Sequence, residues 1–545
     1  MTEQRKARHL AIAGAAVAAL ALSACGGGDG GNGGGGNGGT DGAQPVEGGG
    51  TISAYNCEPQ NLVPGNSTEV CGSWVLDHLF TGLVQADTET YEPIPGVAES
   101  WETEDATTWT FTLGEDWTFH NGDPITAQTF VDTFNWVVDP ENAQQSANFF
   151  ELFAGYDAVV EGEAEELEGV RAIDDYTLEI ELTEPFSPLP DMLTYTAFYP
   201  MPEVAFEDIE AYEQAPIGNG RYQIDGEWEH DVQIAANRFE DYAGENPGLP
   251  ERIEWRIYSD IDTAYMDVQA GQLDLLDTTP PNRLSQLEAD FGENHVSFDT
   301  GAFTYLGFPL YQEEFQDPDV RHALSMAIDR QEIIDGIFDG AQTPATSIIP
   351  EFLPEGRDGV CEYCEFDPEA AAELYESAGG PSELTVYFNS GAGHEQWVEA
   401  VTNQWQQNLG IESIEFQSLE FAQYLDLHDT QAVTGPFRLG WTISYPSAQY
   451  AMEPIYTTGQ SSNYTGFSNE EFDNLIDEAN SNPDPDEASA LYQEAEEILL
   501  EEMPVIPMWF SSYTVVYSDR VNGETVQMGE GNTFTHLWQI ELVES

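Results

Sequence analysis

The side chains of this sequence with the most specific chemistry to offer are four cysteines beyond residue 50. Cys361 and Cys364 form CEYC, a spacing that serves thiol–disulfide exchange or half of a zinc site. Zinc needs a second pair of ligands, and none accompanies CEYC, so a structural staple is the better reading. Cys57 and Cys71 are the other local pair. Cys57–Cys71 with Cys361–Cys364 is the simplest of three connectivities in an oxidising compartment. Hydrolytic chemistry has less support: HExxH and G-x-S-x-G are absent, and there are nine histidines. With 100 Asp and Glu, no carboxylate pair signals acid–base catalysis by itself. The NPDPDE run lacks the glycine of a calcium loop and reads as a turn. No enzyme activity, metal or cofactor is expected.

Binding is better represented. From Arg438 to Met452 the chain reads RLGWTISYPSAQYAM: a strand ends at Trp441 and a loop follows through Ser444 and Tyr445. An indole at such a place offers a large contact area with little side-chain order to lose. Upstream, LTVYFNS reads as a strand, EQWVEAVTNQWQQNLG as a helix with Val398, Val401 and Trp405 inside, and IESIEF as a strand. That order predicts a mainly parallel open sheet, which places ligands outside the carboxyl ends of its strands. Tyr387, Asn389 and His394 lie at one such end.

The positioning elements are legible along most of the chain. Trp109, Phe111 and Leu113 alternate with threonines, Gly114–Asp116 turns the chain, and Trp117 and Phe119 restart the alternation. Asn121-Gly122 makes a tight turn, and Thr126 caps a helix with Phe130, Phe134 and Val137 on one face. VRAIDDYTLEIELTEP reads as an alternating strand. DPDVRHALSMAIDRQEIIDGIF reads as one amphipathic helix whose charges lie on its surface. Asp367, Pro368 and Gly379 bound the next helix, and SNEE at 468–471 is a capping box. Gly271 and Asp274 make a turn after a helix.

A chain of 545 residues holds roughly three or four domain-sized units. Its formal charge of −86 is spread along the body and contains no basic footprint, which excludes nucleic-acid binding. The surface is expected to repel itself at moderate salt and to suit a saline environment. Arg5, Lys6 and Arg8 precede an apolar run from Leu10 to Ala24 that is too short for an ordinary membrane span and suits an export signal. LSAC then ends at Cys25, and 15 of the 25 residues from Gly26 to Gly50 are glycine, a flexible tether.

Taken together, VAESW, WTFTL, WTFHNGDPIT, VRHALSMAIDR and GW in RLGWTIS resemble bacterial extracellular solute-binding proteins of family 5, the dipeptide- and oligopeptide-binding receptors of ABC importers. LSAC resembles a lipoprotein cleavage box, with Cys25 as the lipid attachment point. The resemblance implies an α/β, two-lobed, periplasmic-binding-protein-like fold (class II type), with an extra subdomain in the first lobe and two hinge strands near Thr300 and Trp509. The expected divisions are 1–24 signal peptide, 25–50 lipidated tether, 51–75, 205–300 and 509–545 lobe I, 76–204 the extra subdomain, and 301–508 lobe II. Thr68, Glu69 and Val70 match the loop that touches a peptide main chain, and Trp441 matches an aromatic cleft residue. Where the family places an Asp for a peptide's amino group, this chain has Ser444; Glu69 or another carboxylate could substitute. PIGNGRYQ departs from the family's G-T-G-P-Y at Asn219 and Arg221. The resemblance implies a monomer, lipid-anchored on the outer face of the cytoplasmic membrane, that delivers a small peptide-like solute to permease subunits. The alternatives are an oligosaccharide or chelated-metal binder and, remotely, an exported hydrolase.

Overall fold

The computed structural model describes residues 45–528 and 535–544. The signal segment, Cys25 and most of the tether lie outside the described residues. Two 13-residue strands, His295–Gly307 and Val505–Tyr517, organise the rest. They pair antiparallel along their length, with a register shift between Asp299 and Phe303. On one side of that break, His295–Asp299 pairs with Ser512–Val516; on the other, Phe303–Gly307 pairs with Val505–Phe510. Phe303, Tyr305, Ile506 and Met508 belong to one apolar core, and Val515 and Tyr517 to another. The strands therefore run between the core of lobe I, which holds Val515, and that of lobe II, which holds Phe303; at their break the Thr300 hydroxyl donates to Ser511 O at 2.9 Å.

On the lobe I side the same sheet continues through Leu275–Leu276, Thr51–Asn56, Arg252–Ile257, Gln233–Arg238 and Tyr222–Ile224. On the lobe II side it continues through Phe437–Thr442, Glu383–Asn389 and Ser413–Leu419, the last two parallel. The extra subdomain has its own four-stranded sheet, built from Ala98–Thr103, Thr108–Leu113, Thr177–Glu181 and Val170–Asp174. The helix Ala127–Val138 lays Phe130, Phe134 and Val137, all fully buried, onto that subdomain. Trp117 and Phe119 are buried as expected, but a single bridge between Thr118 and Pro124 replaces the strand.

Several charged residues are placed differently from what their spacing predicts. The 317–338 stretch is two helices, Pro318–Met326 and Arg330–Ile337, because Asp329 caps a second start by accepting from Glu332 N. Its cations are not surface groups. Arg321 is 1% exposed and donates to the Phe315, Glu502 and Met503 carbonyls; Arg330 is 4% exposed and donates to Pro507 O and Cys364 O. The guanidinium forks satisfy carbonyls at the ends of helical segments, at Phe315, Cys364, Glu502 and Met503, and one inside strand Val505–Tyr517, at Pro507. Asp274 is also more than a turn residue: it is buried, accepts from Ser53 and Ser518, and pairs with Arg520 at 2.9 Å. It thereby pins the first strand to the end of the last. The cap of helix Glu470–Asn480 is Asn469, one residue later than the SNEE box implied.

PIGNGRYQ is structural. Asn219 exchanges two hydrogen bonds with the Thr81 backbone, 3.0 and 2.8 Å. A Cβ at Gly218 would lie 1.9 Å from Leu79 O, so only glycine permits the approach. Arg221 sits 4.1 Å over the Trp538 ring.

Candidate functional site

The expected main-chain contact loop sits between a disulfide and a helix. Cys57 and Cys71 are bonded, with Cα atoms 5.6 Å apart, and Cys71 lies in the first turn of helix Val70–Leu79. Glu69 is that helix's cap: it accepts from Cys71 N at 2.7 Å, Gly72 N at 2.9 Å and Gln60 N at 3.0 Å. Three backbone N–H groups therefore occupy this carboxylate, and it is not the free acid that could replace an Asp at position 444. Cys57, Glu69 and Cys71 approach one another as metal ligands would, but both sulfurs are spent in the disulfide. Thr68 is exposed and its hydroxyl donates to Gln145 at 3.4 Å; Val70 exposes 41% of its surface. The other pair, Cys361 and Cys364, is likewise bonded.

Trp441 packs against the core of lobe II, and Tyr445 in the loop after it enters the core of lobe I. Trp441 pairs across to Phe303, next to the break in the crossing strands, and Nε1 donates to Tyr450 O at 2.8 Å. Ser444 lies 3.4 Å from the Tyr450 hydroxyl. Tyr445 is 4% exposed and packs in the core otherwise built from lobe I residues, its hydroxyl donating to Gln449 at 2.8 Å. Tyr450 packs against both cores. Burial raises the pKa of the nearby Tyr195 hydroxyl, and the Tyr450 phenol acts in the same sense. The Tyr195 side chain also neighbours Ser146, whose N–H donates to Gly65 O at 3.0 Å. This chain of neighbours leads from Gly65, three residues before Thr68, to Ser444.

A second group gathers at the carboxyl end of strand Glu383–Asn389. Tyr387 is a core residue, 2.9 Å from the Thr434 hydroxyl. Asn389 ends the strand, and His394 begins helix His394–Leu409. His394 Nδ1 accepts from Trp397 Nε1 at 3.3 Å, so its ring is held in a defined orientation. Burial, with Arg438 adding to it, pushes the His394 pKa down to about 4, leaving the ring neutral at pH 7.

Arg438, three residues before Trp441, belongs to no motif that singles it out in the sequence. Its side-chain bond is long, Nη1 to Asn389 Oδ1 at 3.4 Å, and its buried Nε has no partner among the described residues. Every other described arginine donates to a carboxylate or a backbone carbonyl. Burial lowers the Arg438 pKa, but a guanidinium stays charged at neutral pH. In a chain with 100 acidic residues, a half-buried arginine without a carboxylate is a group poised for an anion. The signal was present in the sequence only as an arginine on a strand among few cations.

Comparison with known proteins adds a lineage to this geometry. The family described as "Bacterial extracellular solute-binding proteins, family 5 Middle" matches residues 92–463. The oligopeptide-binding protein OppA of Bacillus subtilis is 27% identical over 498 residues, covering 88% of this chain and 90% of OppA. The periplasmic murein peptide-binding protein MppA of Escherichia coli is 28% identical over 472 residues, covering 83% of this chain and 86% of MppA. Among solved structures, the unliganded open form of the MppA murein tripeptide binding protein superposes with a TM-score of 0.85 at 24% identity, covering 93% of this chain and 99% of that one. The fold is thus that of two-lobed periplasmic peptide-binding proteins.

Proposed function

The chain belongs to the bacterial extracellular solute-binding proteins of family 5, and we propose that it captures di- or oligopeptides between its lobes for delivery to the permease of an ABC importer. The observation that carries the peptide reading is Arg438. Its guanidinium would take a peptide's terminal carboxylate in a charge-assisted bond, with Asn389 and neutral His394 beside it. Trp441 would lie against the peptide, Ser444 and Tyr445 would border it, and the Thr68–Val70 backbone would approach from lobe I. Tyr387 would support this site from the core. The peptide-binding relatives make the same solute class the natural one to test.

Capture would proceed by closure about the two crossing strands. Lobe I would comprise 51–75, 205–300 and 509–545, the extra subdomain 76–204, and lobe II 301–508. The register shift between Asp299 and Phe303 gives the bend a place. A solute that touches both lobes would favour the closed form by its differential affinity for it. Cys25 would carry lipid and the Gly-rich segment would tether the body outside the cytoplasmic membrane, as a monomer. Replacing Cys25 by Ser is expected to release soluble, binding-competent protein; membrane retention of that variant would contradict the anchor.

Native mass spectrometry of the purified protein, followed by calorimetric titration of any released ligand, tests the solute class. Co-purified peptides, bound without turnover, are expected. A saccharide or metal chelate in their place would reject the peptide reading.

A further inference from the structure

A cavity of about 670 Å³ lies between the extra subdomain and lobe II, beside the Trp441–Tyr445 loop. Glu92, Glu102 and Asp191 face it from the subdomain, and Glu355 and Asp486 from lobe II. Glu92, Glu102 and Asp486 are exposed at its rim. Asp191 and Glu355 are half-buried. Glu355 Oε2 is shut off from solvent and receives no hydrogen bond among the described residues; Ser489 donates to Oε1 at 3.3 Å. Burial raises the pKa of both carboxyls; Glu355 adds to the rise at Asp191, and Glu92 to that at Glu355. No arginine, lysine or histidine lines the cavity, whereas Trp101, Trp109 and Tyr492 do.

Two facing carboxylates that lack any cation carry an uncompensated desolvation and repulsion cost. Elsewhere this chain spends its few arginines on such groups, as at Asp274 with Arg520 and Glu496 with Arg357. Here it places aromatic rings instead, and rings with carboxylates are what recognise an organic cation. Pro446 and Ser447 line the cavity directly after Tyr445, so a solute lying along Trp441 could extend a cationic group into it.

We propose that this cavity is a subsite for an organic cation of the bound solute, an alkylammonium or guanidinium group received by Asp191 and Glu355. The subsite rests on the peptide reading for its solute, and two parts of a peptide could supply the cation: a lysine or arginine side chain, or the terminal amine. The second would supply the charge that Ser444 lacks.

Calorimetry with Ala-Lys-Ala, Ala-norleucine-Ala and their N-acetylated forms, on wild type, Glu355→Gln and Asp191→Asn, separates these sources. Loss of the cation is expected to weaken wild-type binding roughly 10–100-fold, the range of a charge-assisted hydrogen bond, and to matter far less in either variant. A lysine-to-norleucine effect assigns the subsite to a side chain; an acetylation effect assigns it to the amine. Equal affinity for all four peptides in wild type, or differences undiminished in both variants, would overturn the proposal. Both substitutions remove an uncompensated buried charge, so a thermal midpoint no lower than wild type's should accompany them and separates lost recognition from lost folding. If no tripeptide binds, agmatine alone decides. Agmatine bound by wild type and lost in the variants keeps the cation subsite and rejects the peptide reading; no agmatine binding rejects both.

Discussion

Glu69 and Arg438 show how a charged residue's role depends on what is already bound to it. Glu69 already accepts from three backbone N–H groups, whereas Arg438 has a single long side-chain bond. Sequence spacing shows a carboxylate before a helix, which is also the signature of a cap, but it cannot show which lone pairs remain free. Trp441 is the better-marked case, since an aromatic residue closing a strand before a loop has few other uses. Trp441→Ala should weaken solute binding by about 1–3 kcal/mol if the indole is a central anchor. Trp441→Phe, which keeps a ring but loses the bond to Tyr450 O, should fall between the two in the same titration. Unchanged affinity in the alanine variant would move the site away from this loop.

Elements announced by local chemistry were readable: Thr126, Asp367 and Gly379 bound the helices they were expected to bound. What the sequence concealed were tertiary uses of polar residues. A periodic pattern from Val320 to Ile334 hides a second cap at Asp329, and Arg321 looks like a surface charge until distant chain ends need its donors. Asp277 is of this kind. It follows the short strand Leu275–Leu276, is 4% exposed, and its Oδ1 has no partner among the described residues. Burial pushes its pKa up to about 7. A carboxyl raised in the folded state contributes stability that is complete below pH about 4 and is lost as pH rises through 7. Asp277→Asn should therefore be more stable than wild type at pH 8, by about 2–4 kcal/mol, and close to it at pH 4. Denaturant titrations at the two pH values check this; an equal difference at both would show that Asp277 does not titrate with folding.

At the scale of the whole molecule, two long strands join two cores, and the chain's acid is distributed over both. Self-repulsion at −86 should make stability depend on ionic strength. The thermal midpoint should rise between 0.1 and 1 M NaCl, where the Debye length falls from roughly 10 to 3 Å; a flat response would show that repulsion does not limit the fold. Closure about the crossing strands should lower the radius of gyration in small-angle scattering when a saturating peptide is added. The most direct test of peptide capture is calorimetry of one peptide as free acid and as C-terminal amide, on wild type and Arg438→Gln. Amidation or the substitution alone should each weaken binding roughly 10–100-fold, and the two together little more than either, because both delete the same charge-assisted contact. Independent, additive losses, or a free acid bound equally well by the variant, would contradict the assignment of the terminal carboxylate to Arg438.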